Sequence, residues 1–114
     1  LGVSYNDLEP INPRLIYCSV KGFQTGPNQD RPFLDELAQM MGGLAYMTGP
    51  EGRPLRAGAS VIDIGAGTSA AMGVLLALRE RDSTGKGQKV TSGLFETAMF
   101  WVGHHMSQAI MTNQ

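Results

Sequence analysis

The stretch ASVIDIGAGTSAAMGVLLALRERD, residues 59–82, decides how this chain is read. Its first six residues read as extended. They contain Asp63; Gly65 and Gly67 follow, and from Thr68 the sequence becomes a helix, with small residues first and good helix formers after them. An apolar segment, a glycine-bearing turn and a helix in that order can serve three chemistries. They can bind a dinucleotide, form the nucleoside site of a methyltransferase, or set a carboxylate nucleophile at the mouth of a helix.

Working outward, residues 7–12 read as the end of a short helix and a turn, punctuated by Asn12 and Pro13. RLIYCSV (14–20) is an apolar run between turn signals, which predicts a strand buried on both faces and makes Cys18 an inert buried thiol. Residues 21–32 hold two glycines and two prolines and form a loop. From Phe33, the spacing of Leu34, Leu37, Ala38, Met41 and Leu44 predicts an amphipathic helix that weakens at Gly42 and Gly43. Residues 48–58 are a second loop. Beyond the 68–82 helix, Gly85 and Gly87 can take positive φ and Lys86 can face the helix dipole. KVTSG (89–93) is a short strand or connector, and residues 94–111 are a final helix. Short strands alternating with three helices predict an α/β architecture, a single unit over residues 1–114 with no repeats.

At 114 residues the chain can bury roughly two-thirds of its unfolded surface. With 42% hydrophobic and 17% charged residues and a net charge of −1, it has neither a disordered composition nor the basic surface that nucleic acid or anionic membranes attract. One cysteine allows no internal disulfide and fits a reducing, cytoplasmic setting. The N-terminal residues lack the pattern of a signal peptide, and no uninterrupted apolar run reaches the ~18 residues of a membrane span. No metal site is expected, because the adjacent His104 and His105 point in different directions on a helix. The seven methionines read as pliable core or interface filler.

GAGTSA (65–70) fits the dinucleotide fingerprint loosely, but no carboxylate ends the following strand to hold a ribose. The methyltransferase reading shares that gap and has Ser69 where a third glycine belongs. For the third reading, Asp63 beside a helix N-terminus would be stabilised by the dipole and by unpaired N–H groups, which can also support an oxyanion. Gly65, Ala66 and Gly67 would let a ligand approach the backbone. Asp63 as a simple helix cap is the commoner arrangement, and local pattern leaves both open.

The order and spacing of INPRLIYCSVKGFQTGP, RPFLDELAQMMGGLAYMTG, GRPLRAG, IDIGAGTSAAMGVLLALRERDSTGKGQKV and LFETAMF go further. Over nearly all its length the chain resembles the CaiB/BaiF, or family III, coenzyme A transferases, which include formyl-CoA transferase and carnitine CoA-transferase. The resemblance implies a fragment of that family's large domain, with no tightly bound cofactor and a CoA thioester as substrate. It also implies an aspartate nucleophile just before a helix of small residues, upstream of a T-G-(R/K)-G-Q turn, a position matched here by Asp63. Such a carboxylate attacks an acyl-CoA to give a mixed anhydride, passes through an aspartyl-CoA thioester, and delivers CoA to a second carboxylic acid. Lys21 and Arg31, flanking the loop, are candidates for CoA phosphates or a substrate carboxylate, with solvated loop cations the commoner role, and Gly65 and Gly67 are candidates for close CoA approach.

Three departures accompany the resemblance. The related racemases carry a histidine before the aspartate of the segment matched by FLDELAQ, whereas this chain has Leu34 there, followed by Asp35; racemisation is not expected. GFQTGP is one glycine short of the family's usual G-F-G-Q-T-G-P. Family members are also several times longer and form intertwined dimers. The chain is therefore expected to be an internal slice, either the nucleophile-bearing part of a transferase or, taken alone, a non-catalytic association module that forms a homodimer or higher oligomer through Phe100, Trp101 and Met106.

Overall fold

The computed structural model describes residues 2–112. In chain order these form α1 (Tyr5–Leu8), β1 (Ile16–Lys21), α2 (Asp35–Met41), α3 (Leu44–Thr48), α4 (Val61–Thr84), β2 (Gln88–Gly93) and α5 (Leu94–Thr112). The strands pair in parallel, from Ile16 opposite Gln88 to Lys21 opposite Gly93. Parallel pairing needs a long crossover, and α2, α3 and α4 supply it. The α/β class expected from the sequence is the class observed.

The largest departure is the start of α4. ASVIDI is not extended: the helix begins at Val61, so Asp63 is its third residue and Gly65 and Gly67 lie inside it. The first turn of a helix exposes four N–H groups that need acceptors. Val61 finds the Ala59 carbonyl and Ile64 the Ser60 carbonyl. Ile62 and Asp63 both donate to the Asp35 carboxylate, which arrives from α2. A cap from 28 residues upstream leaves no mark in the local sequence.

The helix expected from Phe33 to Leu44 is divided, because Gly43 takes φ 85° and starts a new axis for α3. Only part of the apolar stripe faces inward, with Ala38 in the core and Leu44 packed against it. Leu34, Leu37 and Met41 are exposed, and Asp35, Ala38 and Gln39 are buried. Gly42 closes that inner face against α5, where a Cβ would stand 2.6 Å from the Ala98 Cβ. The packed centre comprises Ala38, Ile62, Ala66, Leu94 and Ala98, with Phe33, Leu44 and Val61 against it. Beside it Phe23 lies between Phe33 and Phe95, at ring centroid distances of 4.3 and 5.4 Å.

β1 is not buried on both faces. Among the described residues it has one strand neighbour, and Cys18 and Val20 are exposed, which corrects the reading of Cys18 as a buried thiol. Gly85 has the expected positive φ and ends α4. Gly87 does not, and serves close packing instead: a Cβ there would sit 1.9 Å from the Leu15 carbonyl oxygen. The segments NPRLIY and RERDSTGKGQ meet at this point. Arg14 donates to the Gly85 carbonyl at 3.2 Å and Arg81 to the Arg14 carbonyl at 3.2 Å. α4 is long and apolar enough to cross a bilayer, with a mean hydropathy of 1.8 over its apolar window. In this fold its buried residues, Ile62, Gly65, Ala66, Ala70 and Ala77, are mostly small and let β1, β2 and α5 come close.

Candidate active site

Asp35 opens α2 and is 5% exposed. Its Oδ2 accepts the N–H groups of Ile62 at 2.7 Å and Asp63 at 3.1 Å. Its Oδ1 accepts the side-chain amide of Gln39. Arg56 approaches Oδ1 at 4.0 Å and reaches Glu36 at 3.8 Å. A buried carboxylate is stable only when paired or richly hydrogen-bonded, and the positive end of α4 with its two free N–H groups meets that need. A carboxylate thus lies at the mouth of α4, and the side chain in that place is that of Asp35. Asp63 contributes a backbone N–H, while its own side chain is exposed and makes no hydrogen bond among the described residues.

The two glycines divide. Gly65 is buried against α5, where a Cβ would lie 2.5 Å from Trp101 Cζ2 and 3.0 Å from Thr97 Cγ2, so in this structure its face is filled by protein. Gly67 faces open space, with nothing within 4 Å of a Cβ. Opposite mutational signs are expected. Gly67→Ala adds helix propensity at no steric cost and stabilises the chain by about 0.5–1 kcal/mol. Gly65→Val forces Trp101 aside, destabilises by about 1–3 kcal/mol and shifts Trp101 fluorescence. Urea unfolding of the two variants checks both signs.

Lys21 ends β1 and Arg31 lies in the following loop. Both are exposed, neither forms an ion pair among the described residues, and the structure places neither against Asp35. That loop is pinned to α5 by the Gln24 N–H, which donates to Glu96 Oε1 at 3.1 Å. Two cavities of about 250 and 240 Å³ share Gln24 and Glu96 in their walls. Glu96 had no signal in the sequence beyond being an acid in the first turn of a helix. Among the described residues no group of His, Cys, Asp and Glu side chains has the geometry of a metal site.

The sequence model of CoA-transferase family III matches residues 1–114. The chain belongs to CoA-transferase family III. It is 43% identical over 99 residues to the succinyl-CoA–L-malate CoA-transferase beta subunit of Chloroflexus aurantiacus, covering 84% of this chain and 24% of that protein. It is 42% identical over 95 residues to the formyl-CoA:oxalate CoA-transferase of Rhodopseudomonas palustris strain TIE-1, covering 82% and 22%. A CaiB/BaiF family protein from Brucella suis superposes with a TM-score of 0.92 at 35% identity, over 99% of this chain and 30% of that one. Rv3272 from Mycobacterium tuberculosis does so with a TM-score of 0.84 at 27% identity, over 96% and 31%. The chain thus spans about a quarter of the length of the curated family III relatives it matches.

Proposed function

We propose that a full-length protein carrying this chain moves CoA between two carboxylic acids, with Asp35 as the nucleophile. The observation that carries this reading is the buried Asp35 carboxylate held on two N–H groups at the start of α4. One Asp35 oxygen attacks the acyl carbon of an acyl-CoA. A C–O bond forms, the C–S bond breaks, and CoA leaves as the thiolate with the bonding electron pair, giving a mixed anhydride. The thiolate then attacks Asp35 Cγ, and the first acid departs as its carboxylate, leaving an aspartyl-CoA thioester. A second carboxylate enters by the reverse of these steps. Each attack on Cγ places negative charge on an Asp35 oxygen, and the Ile62 and Asp63 N–H groups are already aimed at that position. Splitting one exchange over a single carboxylate is nucleophilic catalysis.

The donor and acceptor are an acyl-CoA and a carboxylic acid, with no tightly bound cofactor required by these steps. Lys21 and Arg31 remain proposed contacts for CoA phosphates. Gly67 remains a proposed point of close approach, whereas Gly65 is assigned to packing. The exposed free Cys18 fits a reducing compartment, and we place the protein in the cytoplasm on that ground.

The test is hydroxylamine trapping of the full-length protein after incubation with an acyl-CoA, followed by peptide mass spectrometry. The modified residue is expected at Asp35. Modification at Asp63 would transfer the role to that residue, and modification at neither would remove the covalent mechanism.

A further inference from the structure

Gln39 follows Asp35 by four residues, one turn along α2, so the two side chains share a face of that helix. It is fully buried, and a buried amide must satisfy both of its ends. Its Oε1 accepts the Ala57 N–H at 2.7 Å, and its Nε2 donates to Asp35 Oδ1 and lies 3.4 Å from the Ala59 carbonyl. A backbone N–H can only donate, so Ala57 fixes which end of the amide faces it. Turning the amide over would set donor against donor at Ala57 and carbonyl against carboxylate at Asp35. The amide group is therefore locked onto Asp35.

The consequence is an unequal load on the two carboxylate oxygens. Oδ2 accepts two backbone N–H groups, which use both of its lone pairs. Oδ1 accepts one side-chain N–H and keeps the other lone pair, on an oxygen that Arg56 approaches only at 4.0 Å. We infer that Gln39 is a positioning residue that fixes the Asp35 carboxylate so that Oδ1 is the attacking oxygen and Oδ2 stays on the α4 N–H pair. The inference rests on Asp35 being the nucleophile. In the first step the free lone pair of Oδ1 forms the bond to the acyl carbon as the C–S bond breaks and the thiolate leaves. Oδ2 becomes the carbonyl oxygen of the aspartyl anhydride, already seated where charge returns when Cγ is attacked. Losing the orientation of a reacting group by about 1 Å can cost about 100-fold in rate.

Two variants of the full-length protein test this. Gln39→Met keeps the volume and removes every hydrogen bond, and its kcat is expected to fall about 100-fold with KM within threefold, as for lost orientation. Gln39→Glu still accepts the Ala57 N–H. Its new carboxyl donates to Asp35 when protonated and opposes it when ionised. The charged groups around it are Asp35, Arg56 and Glu36, so the ratio of variant to unmodified kcat should decline as pH rises. A purely structural Gln39 would change the melting temperature and leave kcat per folded molecule and the pH ratio flat, which overturns the inference. Exchange surviving in Asp35→Asn removes the nucleophile assignment and this inference with it. An inactive Asp35→Asn beside a Gln39→Met variant of normal kcat removes only the positioning role.

Discussion

Asp35→Asn in a full-length protein carrying this chain is expected to lower CoA exchange by about 10³-fold or more, while Asp63→Asn costs less than about tenfold. The asparagine oxygen can still accept the Ile62 and Asp63 N–H groups, so the start of α4 stays capped. What disappears is the anionic oxygen that forms the anhydride. Asp35→Ala is a poorer probe, because it strands two backbone donors and the Gln39 amide in a buried site at about 1–3 kcal/mol for each unsatisfied group. Steady-state exchange rates and thermal melts of the two asparagine variants check the expectation. A dead Asp63→Asn beside an active Asp35→Asn, both folded, would return the nucleophile to Asp63.

How much of the site is legible in the sequence depends on how far apart in the chain the contacting residues lie. The strand at 16–21, the 94–111 helix and the turn at Gly85 follow from local pattern, because each depends on residues close together in the chain. The start of α4 does not. Two glycines within residues 65–67 argue for a turn by propensity, and a carboxylate 27 residues before Ile62 overrides them by satisfying the first-turn N–H groups. With the helix start displaced upstream, Asp63 falls within the first turn of α4, and the carboxylate that accepts the N–H groups there is that of Asp35. A signal for Asp35 did exist. Asp35 and Gln39 are polar residues at i and i+4, and a polar pair at that spacing can mark an inward face when it serves another element's backbone. The apolar residues Leu34, Leu37 and Met41 drew attention to the opposite side of α2, which in this structure is exposed. Hydrophobic periodicity identifies a helix reliably here, and it misidentifies the buried side because the 114 residues alone do not cover every apolar face.

The same uncovered faces determine how the isolated 114-residue chain should behave: it is expected to self-associate at micromolar concentration. A compact domain of this length has a radius of gyration of about 13 Å, and this one has 17.1 Å. Its accessible surface is 7929 Å², against about 6,100 Å² for a folded monomer of this mass. The difference exceeds the ≈ 800 Å² that each partner buries in a standard interface. Much of the excess is apolar and lies on the long helices. Met72, Leu75 and Leu76 are open on α4, and Phe100, Trp101, Met106, Ile110 and Met111 are open on α5, with Phe100 83% exposed. Monomers rarely leave apolar patches of this size uncovered, and pairing about a twofold axis is the commonest way to cover them. Sedimentation velocity of the isolated chain should show a dimer or larger species, and diluting it through dissociation should shift Trp101 emission to the red as the ring meets water. Phe100→Asp on α5 should move the equilibrium to monomer by opposing burial of that face. A clean monomer at micromolar concentration with unchanged Trp101 emission would mean that the two helices cover their own apolar surface by repacking within one chain.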